Sequence, residues 1–136
     1  MTAVDRRFTF IIDEGVDLDL DEIEDEHPDE YDAILVEIEE LQGDRTLCER
    51  LIDVGYEDDR IIHVKEFAAL QARKYNAYTV RVVDADHWRL ITAVDHRQRI
   101  IALLYIMRRS EEYDATVQRR VIQAYEKLGL KRLGEC

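Results

Sequence analysis

The sequence is poor in the residues that interrupt or cross-link a chain. Its 136 residues include one proline, five glycines and two cysteines. So little proline and glycine argues against low complexity or disorder over most of the length. Cys48 and Cys136 lie far apart in sequence, which favours a reducing compartment and no disulfide. No Cys/His spacing typical of zinc is present, so we expect no metal and no cofactor.

Signals of a membrane, of secretion and of common catalytic motifs are also missing. No apolar stretch approaches the roughly 20 residues of a membrane helix. The N-terminal segment MTAVDRRFTF lacks the apolar run of a signal peptide, so we expect a cytoplasmic protein without a membrane partner. The sequence has no GxSxG, P-loop or GxGxxG pattern, and Ser110, its only serine, has no histidine partner visible in the sequence. The four histidines fall in predicted turns, connections or the acidic segment, and none is predicted to be catalytic.

Charge is abundant but unevenly distributed along the chain. The net charge is −12, with −17 on residues 1–60 and +5 on residues 61–136. This asymmetry indicates a polyanion site in the second half. The alternative is an acidic surface adapted to salt, which is consistent with 15 arginines and only four lysines. Such a surface would be acidic everywhere, and residues 61–136 are not.

The first part of the chain reads as a strand, an acidic arm and a helix. Residues 6–12 alternate as a strand does. Residues 13–30 are dense in like charges and weakly periodic, so self-repulsion predicts a loop or a poorly ordered arm. A helix follows, with Pro28 in its first turn and Gly43 at its end.

The next part is predicted to complete an αα-hairpin. Asp44 can cap a second helix that ends at Gly55, antiparallel to the first. Residues 56–64 are predicted to be a connection, and residues 65–75 a short helix.

The last part is rich in strand patterns. Residues 77–83 and 88–94 alternate, whereas residues 99–107 are apolar throughout and therefore predict a central strand. Residues 114–128 predict a final helix. The expected fold is one α+β domain over residues 1–136, with an N-terminal strand, an αα-hairpin, an antiparallel three-stranded meander and a C-terminal helix, and with the helices on one face of the sheet.

Four arginines and a tyrosine are candidate functional residues. Arg81 and Arg89 interrupt apolar strand faces, Arg108 and Arg109 leave the central strand, and Tyr113 follows. Guanidinium groups match phosphate oxygens in two-pronged geometry. Each residue also has an ordinary explanation as a solvent-facing strand residue, a surface salt bridge or a packing aromatic. A hairpin loop of odd length would place Arg81 and Arg89 on one face, as the clustered interpretation needs, whereas a four-residue loop would place them on opposite faces.

The segment NAYTVRVVDADHWRLITAVDHRQRIIALLYIMRRSEEYD, residues 76–114, resembles the core of the RelE/ParE superfamily of type II toxin–antitoxin toxins. In that family an aromatic-plus-Arg strand is followed by a (Y/W)R(L/V) strand, and then by an apolar strand that ends in an Arg pair with a Tyr shortly after. The element order is similar as well. The resemblance implies a RelE-like fold, a cognate antitoxin, and ribosome-dependent cutting of mRNA through attack of the ribose 2′-OH on the adjacent phosphate, without a metal.

Carried over residue by residue, the resemblance assigns roles to eight positions. Arg89 and Arg108, or Arg109 in place of Arg108, would bind and stabilise the phosphate, and Tyr113 would stack on a base or assist proton transfer. The remaining RNA-binding residues would be Arg81, Arg109, Lys65, Arg73 and Lys74. The acidic first half departs from the family, whose ribosome-binding members are basic. The alternatives are a non-nuclease relative, such as a gyrase inhibitor or a diverged non-toxic module, and a small interaction domain with a similar element order.

Overall fold

The computed structural model describes residues 7–44 and 46–134. Its five strands are β1 (Thr9–Ile12), β2 (Ile61–Glu66), β3 (Ala77–Val82), β4 (Trp88–Asp95) and β5 (Ile100–Arg108). Its α-helices are α1 (Val16–Glu26), α2 (Pro28–Gly43), α3 (Ala68–Gln71) and α4 (Ala115–Lys127), and residues Leu47–Ile52 form a 3-10 helix. The α+β class is therefore confirmed.

The strands form one mixed sheet in the order β1-β5-β4-β3-β2. Strands β2 to β5 are an antiparallel meander, and β1 pairs parallel to β5. The three strands expected in the second half are present. The meander nevertheless has four strands rather than three, because β2 lies within the region predicted to be a connection and a short helix. The N-terminal strand begins at Thr9, and Arg6 of its predicted range lies outside the described residues.

Helices cover both faces of the sheet, so the prediction that they occupy one face is wrong. On β4, Leu90 belongs to a core under α1, α2 and the 3-10 helix, whereas the next residue, Ile91, belongs to a second core under α3 and α4. On β5, Leu103 and Leu104 divide in the same way. A strand buried on both faces is apolar at nearly every position, as predicted for residues 99–107.

The acidic segment is a helix, and the prediction of a loop or a poorly ordered arm over 13–30 is wrong. Helix α1 buries Val16, Asp19 and Ile23 on one face. Asp19 accepts hydrogen bonds from the Ile106 backbone N–H at 3.2 Å and from Arg120 Nη2 at 2.8 Å. Burial raises the pKa of Asp19 to about 6. Such cationic partners offset the self-repulsion on which the prediction rested.

The helical hairpin consists of α1 and α2, which are joined at His27. Helix α2 has the predicted bounds, with Pro28 in its first turn and Gly43 as its last residue. The second helix expected between Asp44 and Gly55 is the shorter 3-10 helix, so the predicted αα-hairpin is displaced toward the N-terminus by one element.

Helix α4 confirms the prediction for residues 114–128. The Asp114 side chain accepts hydrogen bonds from the backbone N–H groups of Thr116 and Val117, at 3.0 and 3.1 Å, and so caps the helix. This cap fixes the residue that precedes it, Tyr113.

None of the helices in the described part of the chain is long and apolar enough to cross a lipid bilayer. Cys48 is buried, and Cys136 lies outside the described residues.

Candidate functional site

A cavity of about 720 Å³ opens where the α3–α4 face of the sheet meets strand β2. We call it the basic cavity. Its lining includes four cationic side chains and the aromatic rings of Phe67 and Tyr113. The cationic residues are Lys65, Arg81, Arg89 and Arg109. Five of the eight residues predicted for the site therefore surround one concave surface.

Strand register brings Arg81 and Arg89 together. Strands β3 and β4 pair Val80 with Leu90, and continuing this register places Arg81 opposite Arg89. The intervening loop, residues 83–87, has five residues and is therefore odd in length. Because side chains alternate along a strand, both arginines lie on the cavity face. The condition set by the clustered interpretation is met.

Arg89 and Tyr113 form the best-defined pair in the cavity. Arg89 Nη1 donates to the Tyr113 hydroxyl at 2.5 Å, and the guanidinium carbon lies 5.4 Å from the centre of the tyrosine ring. Phe67 contacts that ring edge-on, with centroids 4.8 Å apart. Tyr113 is still 38% exposed, so one side of its ring is open to a ligand.

Arg81 is more constrained than the other cations. Its Nη2 lies 3.0 Å from Asp86 Oδ1, and its side chain is only 14% exposed. Its Nε is buried and has no hydrogen-bond partner among the described residues. A buried donor without an acceptor is costly, so a further acceptor placed there would be stabilising.

Arg89, Arg109 and Lys65 form no ion pair with any residue in the described part of the chain. Among the residues that the structure describes, no carboxylate lies within the 4.0 Å of an ion pair with any of the three. Glu66 is the one acidic residue in the lining. A cavity with an excess of one charge concentrates field lines and attracts ligands of the opposite charge. The basic cavity therefore has the charge that favours anionic ligands, in a chain whose net charge is −12.

Arg108 lies on the opposite face of the sheet, so its assignment to the phosphate site does not fit the structure. It pairs with Glu22 and Glu26 of α1, and its Nη2 is 2.7 Å from Glu26 Oε1. Its guanidinium carbon lies 4.9 Å from the centre of the Trp88 ring. The hydrogen bond that Arg108 donates to Glu26 raises the pKa of the guanidinium. Arg109, the next residue, faces the cavity instead.

Arg73 and Lys74 also lie away from the basic cavity. Both are exposed in the turn after α3 and are not part of the lining. Arg73 contacts Gln118 of α4, with Nη1 3.4 Å from Oε1. If Arg73 and Lys74 bind RNA as predicted, they do so on a surface outside the basic cavity.

His63 is a cavity residue that the sequence did not single out. It lies at an irregularity in β2, where the register shifts between Ile62 and Lys65, and it has a positive φ of 56°. The irregular backbone turns the exposed imidazole into the cavity lining. An imidazole is the side chain best suited to exchange a proton near neutral pH.

A second cluster lies beside Arg108 and could hold a metal ion. His27, Glu30 and His87 each offer a ligand atom, and these atoms lie within 4.8 Å of one another. The three residues come from the α1–α2 junction, the first turn of α2 and the β3–β4 loop. Sequence spacing gave no sign of this set, because only the fold brings His87 to the other two.

Comparison of the chain with protein-family models, with curated proteins and with solved structures found no significant match. The geometry of the cavity therefore carries the functional argument.

Proposed function

We propose that the basic cavity binds the backbone of single-stranded RNA, and that the protein is a RelE-like toxin that cuts mRNA on the ribosome. The observation that carries the proposal is the convergence of Lys65, Arg81, Arg89 and Arg109 around Tyr113. Guanidinium groups suit phosphate, and an exposed tyrosine suits stacking on an unpaired base.

The RelE-like architecture is part of the proposal. In its favour are the N-terminal strand, the pair of helices, the antiparallel meander and the C-terminal helix. The additional meander strand β2 is a departure from the expected three strands. In this proposal β2 has a function, because it supplies Lys65 and His63 to the cavity lining.

The net charge of −12 would oppose binding to ribosomal RNA if the acidic residues surrounded the basic cavity. Helices α1 and α2 carry much of the acidic charge of residues 1–60 and pack on the face opposite the basic cavity. The ribosome, whose RNA is a polyanion, would meet the cavity face, in the cytoplasm. A cognate antitoxin would neutralise the protein by laying a helix or strand across the same face.

The proposed reaction needs only groups that line the cavity. The ribose 2′-oxygen attacks the adjacent phosphorus as the bond from phosphorus to the 5′-oxygen breaks, which leaves a 2′,3′-cyclic phosphate and a free 5′-hydroxyl. Arg89 and Arg109 stabilise the charge that develops on the phosphoryl oxygens. His63 takes the proton from the 2′-hydroxyl, and the Tyr113 hydroxyl gives a proton to the leaving 5′-oxygen.

Expression in growing bacteria tests this class of function. Wild-type protein should stop growth and the incorporation of labelled methionine, and Arg89→Ala should do neither at equal protein level. Arg119→Ala is the matched control, because it removes an exposed arginine outside the cavity lining. Normal translation with wild-type protein present would contradict the proposal.

A non-nuclease binding protein with the same cavity is the second candidate. It is favoured by Arg108, one of the arginines expected to act on the phosphate, because that residue is held by Glu22 and Glu26. Growth arrest with intact mRNA and continued translation would support this candidate over the nuclease.

A further inference from the structure

His27, Glu30 and His87 are not part of the basic cavity lining and have no part in the proposed RNA chemistry, although Arg109 lines both that cavity and the cleft beside them. Glu30 is the centre of the group. Its Oε2 lies 2.7 Å from His87 Nδ1 and 3.8 Å from His27 Nδ1. Its Oε1 accepts the backbone N–H of His87 at 2.9 Å. The carboxylate is thus fixed between two imidazoles, and its side chain is only 12% exposed.

The two imidazoles are stacked face to face. Their centroids are 4.3 Å apart and their planes are inclined by 8°. Because an imidazole binds a metal ion in the plane of its ring, this stacking would have to open before both rings could bind the same ion. Trp88 Nε1 donates to His27 Nδ1 at 3.2 Å, so the lone pair of this nitrogen is directed at Trp88 and a metal ion would have to displace that hydrogen bond.

We propose that these three residues bind a divalent transition-metal ion of the kind that imidazole and carboxylate ligands prefer, such as Zn²⁺, Ni²⁺ or Co²⁺. Two imidazoles and one carboxylate are a recurrent three-ligand set that leaves a coordination position open. Ligand atoms around tetrahedral zinc lie about 3.3 Å apart, given bond lengths near 2.0–2.2 Å. Glu30 Oε2 lies 2.7 Å from His87 Nδ1 and 3.8 Å from His27 Nδ1, so one distance is shorter and the other longer than that value.

Small side-chain movements would complete the site. His87 is 65% exposed in the β3–β4 loop, so its ring can move away from Glu30 without disturbing the core. The open position would face a cleft of about 350 Å³ that Asp86 and Ser110 also line. Two arginines line the same cleft. The positive charge of Arg108 is balanced by Glu22 and Glu26, whereas Arg109 has no carboxylate within ion-pair distance among the described residues.

The metal would join the helical hairpin to the β3–β4 loop. His27 and Glu30 belong to the hairpin, and His87 belongs to the loop that connects the strands of Arg81 and Arg89. Coordination by His27 Nδ1 would replace the hydrogen bond from Trp88. Because Trp88 is the only tryptophan in the sequence, the tryptophan fluorescence comes from a ring that contacts His27 directly.

A titration of the chelator-treated, full-length protein with Ni²⁺ tests the proposal through Trp88 fluorescence. We expect saturable quenching by one equivalent, reversed by chelator and by competing Zn²⁺. Loss of a ligand in His87→Ala or Glu30→Gln should weaken binding by roughly tenfold or more. His96→Ala is the matched control, because it removes an exposed histidine outside the group and should bind as wild type does.

Circular dichroism in chelator should show that His87→Ala and Glu30→Gln keep the fold, since one side chain is exposed and the other is replaced by a residue of equal size. Equal Ni²⁺ affinity in wild type, His87→Ala and Glu30→Gln would overturn the proposal. So would wild-type protein that shows no saturable quenching. Neither result depends on RNA binding, so failure here leaves the proposed nuclease untouched.

Discussion

Substitution of the two neighbouring arginines at the end of β5 should separate RNA binding from stability. Arg109→Ala removes a cation from the basic cavity, whereas Arg108→Ala removes one from the opposite face. Both substitutions change the net charge equally. The two residues are adjacent in sequence, so the comparison tests the placement of the site rather than general electrostatics.

The magnitude follows from the number of cations that can meet phosphates. If Lys65, Arg81, Arg89 and Arg109 each contact one phosphate, the slope of log K against log salt for single-stranded RNA is about −2.8. Affinity then falls about fiftyfold between about 0.05 and about 0.2 M salt. Removing Arg109 should reduce the slope by about 0.7, and removing Arg108 should leave it unchanged.

Fluorescence anisotropy of a labelled single-stranded RNA, measured over a series of salt concentrations, gives these slopes directly. Arg119→Ala serves as the control for a lost surface charge. Equal slopes for wild type and Arg109→Ala, or a loss in Arg108→Ala as large as in Arg109→Ala, would refute the assignment of the cavity. Arg108→Ala should instead lower the unfolding free energy by about 1 kcal/mol from the lost contact with Trp88 alone.

Three further substitutions test the energetics of the fold. Burial, with a smaller contribution from Asp58, raises the pKa of Glu37 from 4.5 to about 7. The folded state therefore holds this proton more tightly than the unfolded state does, and stability should fall as pH rises between these values. In the wild type, this group should lower the unfolding free energy by about 3 kcal/mol between about pH 4 and about pH 8. Urea unfolding at the two pH values should show that Glu37→Gln lacks this contribution. Asp114→Ala, which removes the cap of α4, should cost about 1 kcal/mol in the same assay. Asp95 is buried and accepts backbone N–H groups of residues 97, 98 and 131, so Asp95→Ala should cost roughly 2–3 kcal/mol and lower the thermal midpoint.

Two features of the first half could not be predicted from hydrophobic periodicity. The buried face of α1 runs through Val16, Asp19 and Ile23, and the carboxylate at its centre hides the helical pattern. Its stabilising partner, Arg120, lies 101 residues away in sequence. A local pattern carries no information about such a partner.

Strand β2 could not be recognised from the sequence because the strand is irregular. Its buried residues Ile61 and Val64 are three positions apart, because the register shifts between Ile62 and Lys65. Strand recognition depends on alternation with a period of two, and this segment does not show it. Where alternation was regular, in β3 and β4, the strands could be predicted. The common face of Arg81 and Arg89 could not, because it depends on β3 ending at Val82 and so on the exact length of the loop.

The choice between Arg108 and Arg109 depended on a similar irregularity in β5. Ala102 and Leu104 belong to the core on the cavity face, so unbroken alternation would place Arg108 on that face too. Ile91 pairs with Tyr105 and Thr92 pairs with Leu103, so Leu104 is an extra residue on β5. After this bulge, the side chains of β5 alternate between the two faces in the opposite sense. Met107 and then Arg109 consequently lie on the cavity face.

Primer extension on an mRNA translated in a ribosomal extract tests the central claim most directly. Wild-type protein and Arg119→Ala should produce new 5′ ends within the coding sequence, and these ends should not form when ribosomes are left out. Arg89→Ala and Tyr113→Phe should give none or few at equal protein concentration. Intact mRNA with the wild-type protein, or equal cutting by Arg89→Ala, would contradict the account.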